Sequence, residues 1–423
     1  MKVYIIAFGC SASFSDSEIM AGLLKENGFE IVDREEKSDL NILVTCNVKL
    51  PTEKRMINEI KKFSVSKKPL IVAGCMPSTQ KELIEKINPE ASLLGPNSIQ
   101  KIVEIVKKVV EGKKIIFLEN LKEPKVCLPR IQRNKVIHIT QISTGCNYAC
   151  SYCIVRFNKG PLFSFPFDLI VRDIEDGIKE GKKEIWITSQ DNSSYSFNGK
   201  NLANLLKRIC EIDGKFFVRV GMMNPASLKN ILEEIIEAYK NEKIFKFLHV
   251  PLQSGSNKVL ESMNRKYSVE EFLKIVKTFR KEIPEITLST DIIVGFPSEE
   301  EKDFEQTLKI LKKVKFDIVN ISKFGPRPLT PANKMKELDE KTVKERSRKI
   351  YEIVNRIKKE VNEKWIDWEG EVLIDEKGIK NTWMGRNYCY KPIVVENDEK
   401  ILGKFVKVKI EKAEKNYLKG VLI

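Results

Sequence analysis

The chain has 423 residues, 42% of them hydrophobic and 31% charged, which is too long for one core and suggests two or three domains. No run of about 18 apolar residues occurs and Met1-Lys2-Val3 leads straight into a strand-like run, so a cytoplasmic protein without membrane span or signal peptide is expected. The net charge of +15 points to a polyanionic partner such as nucleic acid, and nine cysteines point to metal or catalytic use in a reducing interior, not to disulfides.

A Lys/Glu-rich surface of the hyperthermophile kind explains part of the charge but predicts balance, and the cation excess is left over. From the start of the chain, Val3 to Phe8 reads as a buried strand and Ser17 to Glu26 as a helix. Strands over 29–32, 40–45, 70–73 and 92–94 alternate with helices over 52–63, 79–87 and 99–110. The alternation predicts a doubly wound parallel α/β domain over residues 1–125. Cys10, Cys46 and Cys75 each fall just past the carboxyl end of a strand, where open α/β sheets form their ligand crevice. The three thiols should therefore converge as a metal-cluster site; three separately buried structural cysteines are the alternative.

A second α/β region is expected over 130–362. Its first strand, 136–142, leads into Cys146-Asn147-Tyr148-Ala149-Cys150-Ser151-Tyr152-Cys153. Soft thiolates suit an iron–sulfur cube, and three of them leave one of four irons open. Zinc is the rival, but it normally takes four closed ligands, and only Cys127 and His138 lie upstream. Strands over 184–188, 217–220, 247–250, 287–294 and 318–322 alternate with helices, which suggests an incomplete (β/α) barrel of six units with reactive groups after the strands. Those strand ends are rich in polar residues: Ser189-Gln190-Asp191, Arg219 with Asn224, His249 through Gln253 to Ser256, Asp291, Lys323 and Arg327. Asp291 can equally pair with a lysine, and His249 reads as a satisfied strand-end histidine, since no nucleophile accompanies it.

Residues 339–364 place Ile350, Ile353, Val354, Ile357 and Val361 at helical spacing, a long amphipathic helix. Five short strands between 372 and 422 then suggest a small β-barrel over 368–423. Lys377, Trp383, Arg386, Tyr390, Lys391 and Lys404 fall in or near its turns, and aromatics beside cations suit RNA bases and phosphates. Trp383 reads equally well as core, and Cys210 and Cys389 have no ligand spacing.

Taken together, these motifs resemble the radical S-adenosylmethionine (SAM) tRNA methylthiotransferases over essentially the whole chain. Gly9-Cys10 with Asp16-Ser17-Glu18, Thr45-Cys46-Asn47-Val48-Lys49 with Pro51-Thr52-Glu53, and Ala73-Gly74-Cys75-Met76-Pro77 resemble the amino-terminal domain of that family's archaeal and eukaryotic branch. Residues 368–423 resemble its TRAM module, an RNA-binding barrel. The resemblance implies two [4Fe–4S] clusters, one on Cys146, Cys150 and Cys153 that cleaves SAM reductively and one on Cys10, Cys46 and Cys75 that presents sulfur. It implies Tyr152, Arg219 and Gln253 near SAM, and a side opening of the barrel that admits a large substrate. It further implies N6-threonylcarbamoyladenosine beside the tRNA anticodon as substrate, methylthiolated at C2, with an electron donor and a sulfur donor as further partners. A ribosomal-protein side chain as substrate, or a non-catalytic iron–sulfur RNA-binding protein, are the alternatives. Four positions depart from the family pattern: Ser13 stands where Asn is usual, Pro161 and Phe163 replace charged residues after the cluster loop, and Leu329 replaces Gly.

Overall fold

A computed structural model describes residues 1–423. It opens with β1 (Lys2–Ala7), α1 (Ser11–Glu26), β2 (Glu30–Val32), β3 (Leu40–Thr45), α2 (Leu50–Val65) and β4 (Leu70–Gly74). Next come α3 (Cys75–Thr79), α4 (Lys81–Ile87), β5 (Ser92–Leu94), α5 (Ile102–Val110) and β6 (Ile116–Phe117). The strands pair in parallel in the order β2-β1-β3-β4-β5-β6. Every residue of β3 and β4 is buried, because helices cover both faces and neither strand can alternate with polar residues. On one face Ile5, Ile42 and Ile71 pack under α1 and α5; on the other Leu43 and Val72 meet Met56, Ile60 and Ile84. Two differences from the sequence expectation concern the cysteines. Helix α1 begins at Ser11, six residues early, because Cys10 takes the extended N-cap position. The expected helix over 79–87 breaks at Gln80, so Cys75 opens a short helix of its own.

The second region carries β7 (Ile137–Gln141), β8 (Ser143–Thr144), α6 (Val155–Lys159), β9 (Phe163–Ser164), α7 (Phe167–Lys179) and β10 (Glu184–Thr188). It continues with β11 (Ser196–Phe197), β12 (Lys200–Asn201), α8 (Leu202–Cys210), β13 (Phe217–Val220), α9 (Pro225–Leu228), α10 (Leu232–Tyr239) and β14 (Phe247–His249). Then follow α11 (Asn257–Ser262), α12 (Val269–Glu282), β15 (Thr287–Val294), α13 (Glu301–Val314) and β16 (Ile318–Lys323). Six of these strands form an open arc of two parallel triplets, β7-β10-β13 and β14-β15-β16, joined at one bridge between Val218 and Ile244. Ile185, Ile187, Val218, Val220, Leu248 and Ile292 face outward into the helix-lined core. The pleat therefore turns Trp186, Arg219, His249 and Asp291 toward the inside of the arc.

Helix α14 (Glu340–Glu363) is capped by the Asp339 carboxylate on the Thr342 amide and packs Ile350 and Val354 against the same core. It leads to β17 (Glu369–Lys377), β18 (Thr382–Arg386), β19 (Pro392–Glu396), β20 (Phe405–Ala413) and β21 (Leu418–Leu422). These close into a five-stranded barrel in the order β17-β18-β19-β21-β20. No helix is long and apolar enough to cross a membrane.

Candidate functional site

Cys10, Cys46 and Cys75 follow β1, β3 and β4, three neighbouring strands of one sheet, so parallel topology brings their loops to one edge. Glycines allow the close approach. A Cβ on Gly9 (φ +122°) would stand 2.5 Å from the Cys46 Cβ, and one on Gly74 (φ +92°) would stand 2.6 Å from the Thr45 carbonyl oxygen. The Thr45 hydroxyl donates to the Ala73 carbonyl at 2.7 Å and accepts from the Met76 amide, tying the second loop to the third. Ser13 lies one helical turn past Cys10, its Oγ 3.6 Å from the Cys10 Sγ, and so occupies the ground beside that sulfur. Cys46 and Cys75 are buried while Cys10 is exposed. Burial pushes the Cys75 thiol up to about 12, so a metal taking this site must displace its proton.

The second cysteine loop is pinned from several sides. The Cys146 amide donates to the Gly160 carbonyl at 3.1 Å, the Ser151 amide to the Met263 carbonyl at 3.0 Å, and the Asn264 side chain to the Ala149 carbonyl at 2.7 Å. Burial pushes Cys146 up to about 11 and Cys153 to about 12. Arg265 donates to the Cys150 Sγ at 3.2 Å and to the Asn224 side chain at 2.9 Å. The sequence carried no sign of this contact: 115 residues separate Arg265 from Cys150, and only the folded arc joins them. No three Cys, His, Asp or Glu side chains close on one point as ligands of a single ion do. A cube needs its thiolates spread, since each takes a different iron.

Buried polar atoms without partners gather at the carboxyl ends of the arc: Ser189 Oγ and Gln190 Oε1 after β10, Gln253 Oε1 after β14 and Ser298 Oγ after β15. Such orphaned groups are what a polar cofactor would satisfy, and a SAM molecule beside the cysteine loop fits them. Gln253 is held at φ +66°, with its amide on the Asp291 carbonyl at 2.8 Å. His249 shares a 2.9 Å hydrogen bond with Asp291, which Asn320 also supports at 2.9 Å, so the pair is satisfied inside the arc. Tyr152 packs edge-on against Phe296, with Met263 and Ala332 in the same cluster.

Several expected site residues lie elsewhere. Arg219 does not face the cysteine loop: its guanidinium stands 5.0 Å from the Trp186 ring, 5.1 Å from Phe247 and 5.4 Å from Tyr390, against the terminal barrel. Three of the six expected RNA contacts are buried and a fourth, Arg386, is half-buried. Trp383 (7% exposed) donates to the Asn397 carbonyl within the barrel core. Tyr390 (8%) packs on Phe245 and Phe247 of the arc. Lys391 (2%) pairs with Asp317 at 2.5 Å, and Arg386 with Asp375 at 3.3 Å. Tyr390 and Lys391 fasten the small barrel to the arc because its aromatic turn points inward. Lys377 and Lys404 are exposed.

At the departures from the family pattern, Leu329 keeps a left-handed backbone (φ +67°) with its side chain in solvent, so the turn is retained without glycine. Phe163 packs edge-on against Phe165, and the Pro161 carbonyl lies over Gly145, where a Cβ would come within 2.0 Å.

Helix α6 joins the two cysteine loops. The Asn158 side chain donates to Asn47, the neighbour of Cys46, at 2.8 Å and accepts from Thr79 at 2.8 Å. Across the same junction Arg327 pairs with Glu53.

Known proteins share this arrangement. The model of the radical SAM superfamily matches residues 140–311, that of Uncharacterized protein family UPF0004 residues 2–95, and that of the TRAM domain residues 369–423. A solved radical SAM methyltransferase from Kitasatospora setae, with tryptophan and a SAM analogue bound, has a TM-score of 0.57 at 15% identity over 78% of this chain and 75% of its own, a likeness of fold. A probable threonylcarbamoyladenosine tRNA methylthiotransferase of Pyrococcus horikoshii is 40% identical over 427 residues, covering 100% of both chains. The threonylcarbamoyladenosine tRNA methylthiotransferase of Homo sapiens is 34% identical over 99% of this chain and 73% of its own. With three matching domain models and full-length identity of this order, the chain belongs to the threonylcarbamoyladenosine tRNA methylthiotransferase family.

Proposed function

We propose that this protein converts N6-threonylcarbamoyladenosine beside the anticodon of tRNA to its 2-methylthio derivative, using residues 1–125, 130–362 and 368–423 as sulfur-carrying, radical-generating and RNA-binding domains. When bound, a [4Fe–4S] cluster with SAM supplies one-electron cleavage chemistry, which the adenine C2–H requires because it has no acidic proton for a side chain to remove. Cys146, Cys150 and Cys153 would hold that cluster, and Arg265 orients the Cys150 sulfur. Tyr152 and Gln253 would border SAM, with the orphaned Ser189, Gln190 and Ser298 atoms meeting its polar groups. Cys10, Cys46 and Cys75 would hold a second [4Fe–4S] cluster carrying the sulfur, replenished by a sulfur donor, while an electron donor serves the first. Lys377 and Lys404 remain to meet tRNA phosphates.

One observation carries the reading: α6 runs directly from the radical-type cysteine loop into the loops of Cys46 and Cys75, through Asn158, Asn47 and Thr79. An enzyme that must bring a radical and a sulfur to one carbon needs such a junction. The test is mass spectrometry of tRNA nucleosides from cells with and without this protein. The 2-methylthio derivative should vanish with the protein and return with the wild-type gene. Its persistence, with a modified ribosomal protein lost instead, would move the substrate to protein.

A further inference from the structure

Helix α6 also carries a charge that the fold leaves unmatched. Lys159 is 4% exposed, and no hydrogen bond or ion pair reaches its ammonium. The acidic groups that act on it are Cys75, Asp16, Cys10 and Cys46, and the buried Lys125 ammonium stands near it as a like charge. Asp16 is already engaged, accepting from Lys125 at 2.9 Å and from Gln141 at 2.8 Å. That pairing matches the other buried ammonium of this region and leaves none for Lys159.

The side chain has little freedom to leave. The Lys159 carbonyl accepts from Asn97 at 2.9 Å and from Asn120 at 3.3 Å, Asn158 before it is bonded to Asn47 and Thr79, and a Cβ on Gly160 after it would stand 2.2 Å from Asn120. A buried ammonium without an anion costs several kcal/mol, so the site as built awaits negative charge. The three cysteines supply it once they are thiolates on iron, and so does an anion on the iron they leave open.

We propose that Lys159 is the counter-charge of the Cys10, Cys46 and Cys75 site and holds a hydrosulfide-class anion at its open iron. The inference rests on the second cluster proposed above. Lys159 is a positioning residue: it sits six residues past Cys153 and reaches the other triad, so the loop that shapes the radical site also holds the sulfur in place.

The test uses the full-length C146A/C150A/C153A protein, reconstituted anaerobically so that only the amino-terminal triad can hold iron, reduced by one electron with dithionite, and titrated with sodium hydrosulfide while the reduced cluster's electron paramagnetic resonance (EPR) signal is followed. Lys159→Met is expected to keep about four irons and bind hydrosulfide roughly tenfold more weakly or worse, the scale of one charge-assisted hydrogen bond, with Lys159→Arg restoring most of the affinity. Unchanged affinity in Lys159→Met overturns the proposal. If Lys159→Met loses iron, Lys159→Arg decides: iron kept there supports a counter-charge, and iron lost there too shows a packing role and overturns it. Absence of iron in the parent triple variant sinks the second-cluster reading itself, and this proposal with it.

Discussion

Arg265 bridges the Cys150 sulfur and the Asn224 amide, so one guanidinium ties the cysteine loop to the polar rim of the arc. A hydrogen bond to a charged group is worth about 1.5–3 kcal/mol, or roughly 10- to 100-fold. Arg265→Met should therefore lower the reduction potential of a cluster held by Cys146, Cys150 and Cys153 and slow SAM cleavage by about that factor, with Arg265→Lys in between. Potentiometric EPR titration beside a cleavage assay checks both, and an unshifted potential would reduce Arg265 to a packing residue. The six cysteines make a coarser pair of expectations. Reconstituted wild type should hold about eight irons. Replacing Cys146, Cys150 and Cys153 by Ala should leave about four and abolish SAM cleavage, while replacing Cys10, Cys46 and Cys75 should leave about four, spare some cleavage and end sulfur insertion. Equal loss of both activities in the second variant, with its fold intact, would refute that division of labour.

Among the elements, β10 and β17 meet at the base of the arc through two carboxyls. Glu184 is fully buried and donates nothing, yet accepts from the Trp186 indole at 2.5 Å. One oxygen of Glu184 and one of Asp375 lack partners as long as both are acceptors. A proton shared between the two satisfies both at once. Burial first, and then the Asp375 charge, pushes Glu184 up to about 8. Because the folded state then binds a proton that the unfolded chain releases near pH 4.5, stability falls as pH rises from about 4.5 to 8, by at most about 1.4 kcal/mol per unit. Glu184→Gln should flatten this slope, which thermal melts at pH 5, 6, 7 and 8 would show; parallel slopes in the two proteins would dismiss the shared proton. These elements also mark what the sequence could disclose. The apolar runs of β3, β4 and β10 and the stripe of α14 were legible because buried strands and amphipathic helices repeat at fixed periods. The three amino-terminal cysteines were legible as strand-end residues for the same reason. Arg219, Arg386, Tyr390 and Lys391 were not, because a cation beside an aromatic in a turn reads alike whether the turn faces RNA or another domain. Only the docking of the barrel decides, and its partners Phe245, Phe247 and Asp317 lie more than 70 residues away.

At the scale of the whole molecule, that docking changes how RNA binding by the terminal barrel must be tested. Removing residues 369–423 would strip Tyr390 from Phe245 and Phe247, leave Asp317 without Lys391, and bare the base of the arc. Breaking a buried ion pair alone costs about 3–5 kcal/mol, so a truncated protein would report its own instability as much as any loss of affinity. Charge neutralisation at the exposed turns avoids this. Lys377 and Lys404 are exposed and their side chains make no hydrogen bond, so Lys377→Gln with Lys404→Gln should leave the melting temperature within about 1–2 °C of wild type, as surface changes do. Each phosphate contact removed should lower the slope of log affinity against log salt by roughly 0.7 to 0.9 and weaken binding of all tRNAs alike, since phosphates carry no sequence. Filter binding of tRNA between about 50 and 200 mM salt reads the slope directly. SAM cleavage should stay near wild type, because neither lysine approaches the cysteine loops. An unchanged salt slope in the double variant would make the barrel a structural base for the arc and move the tRNA surface onto the lysine-rich faces of the other two domains.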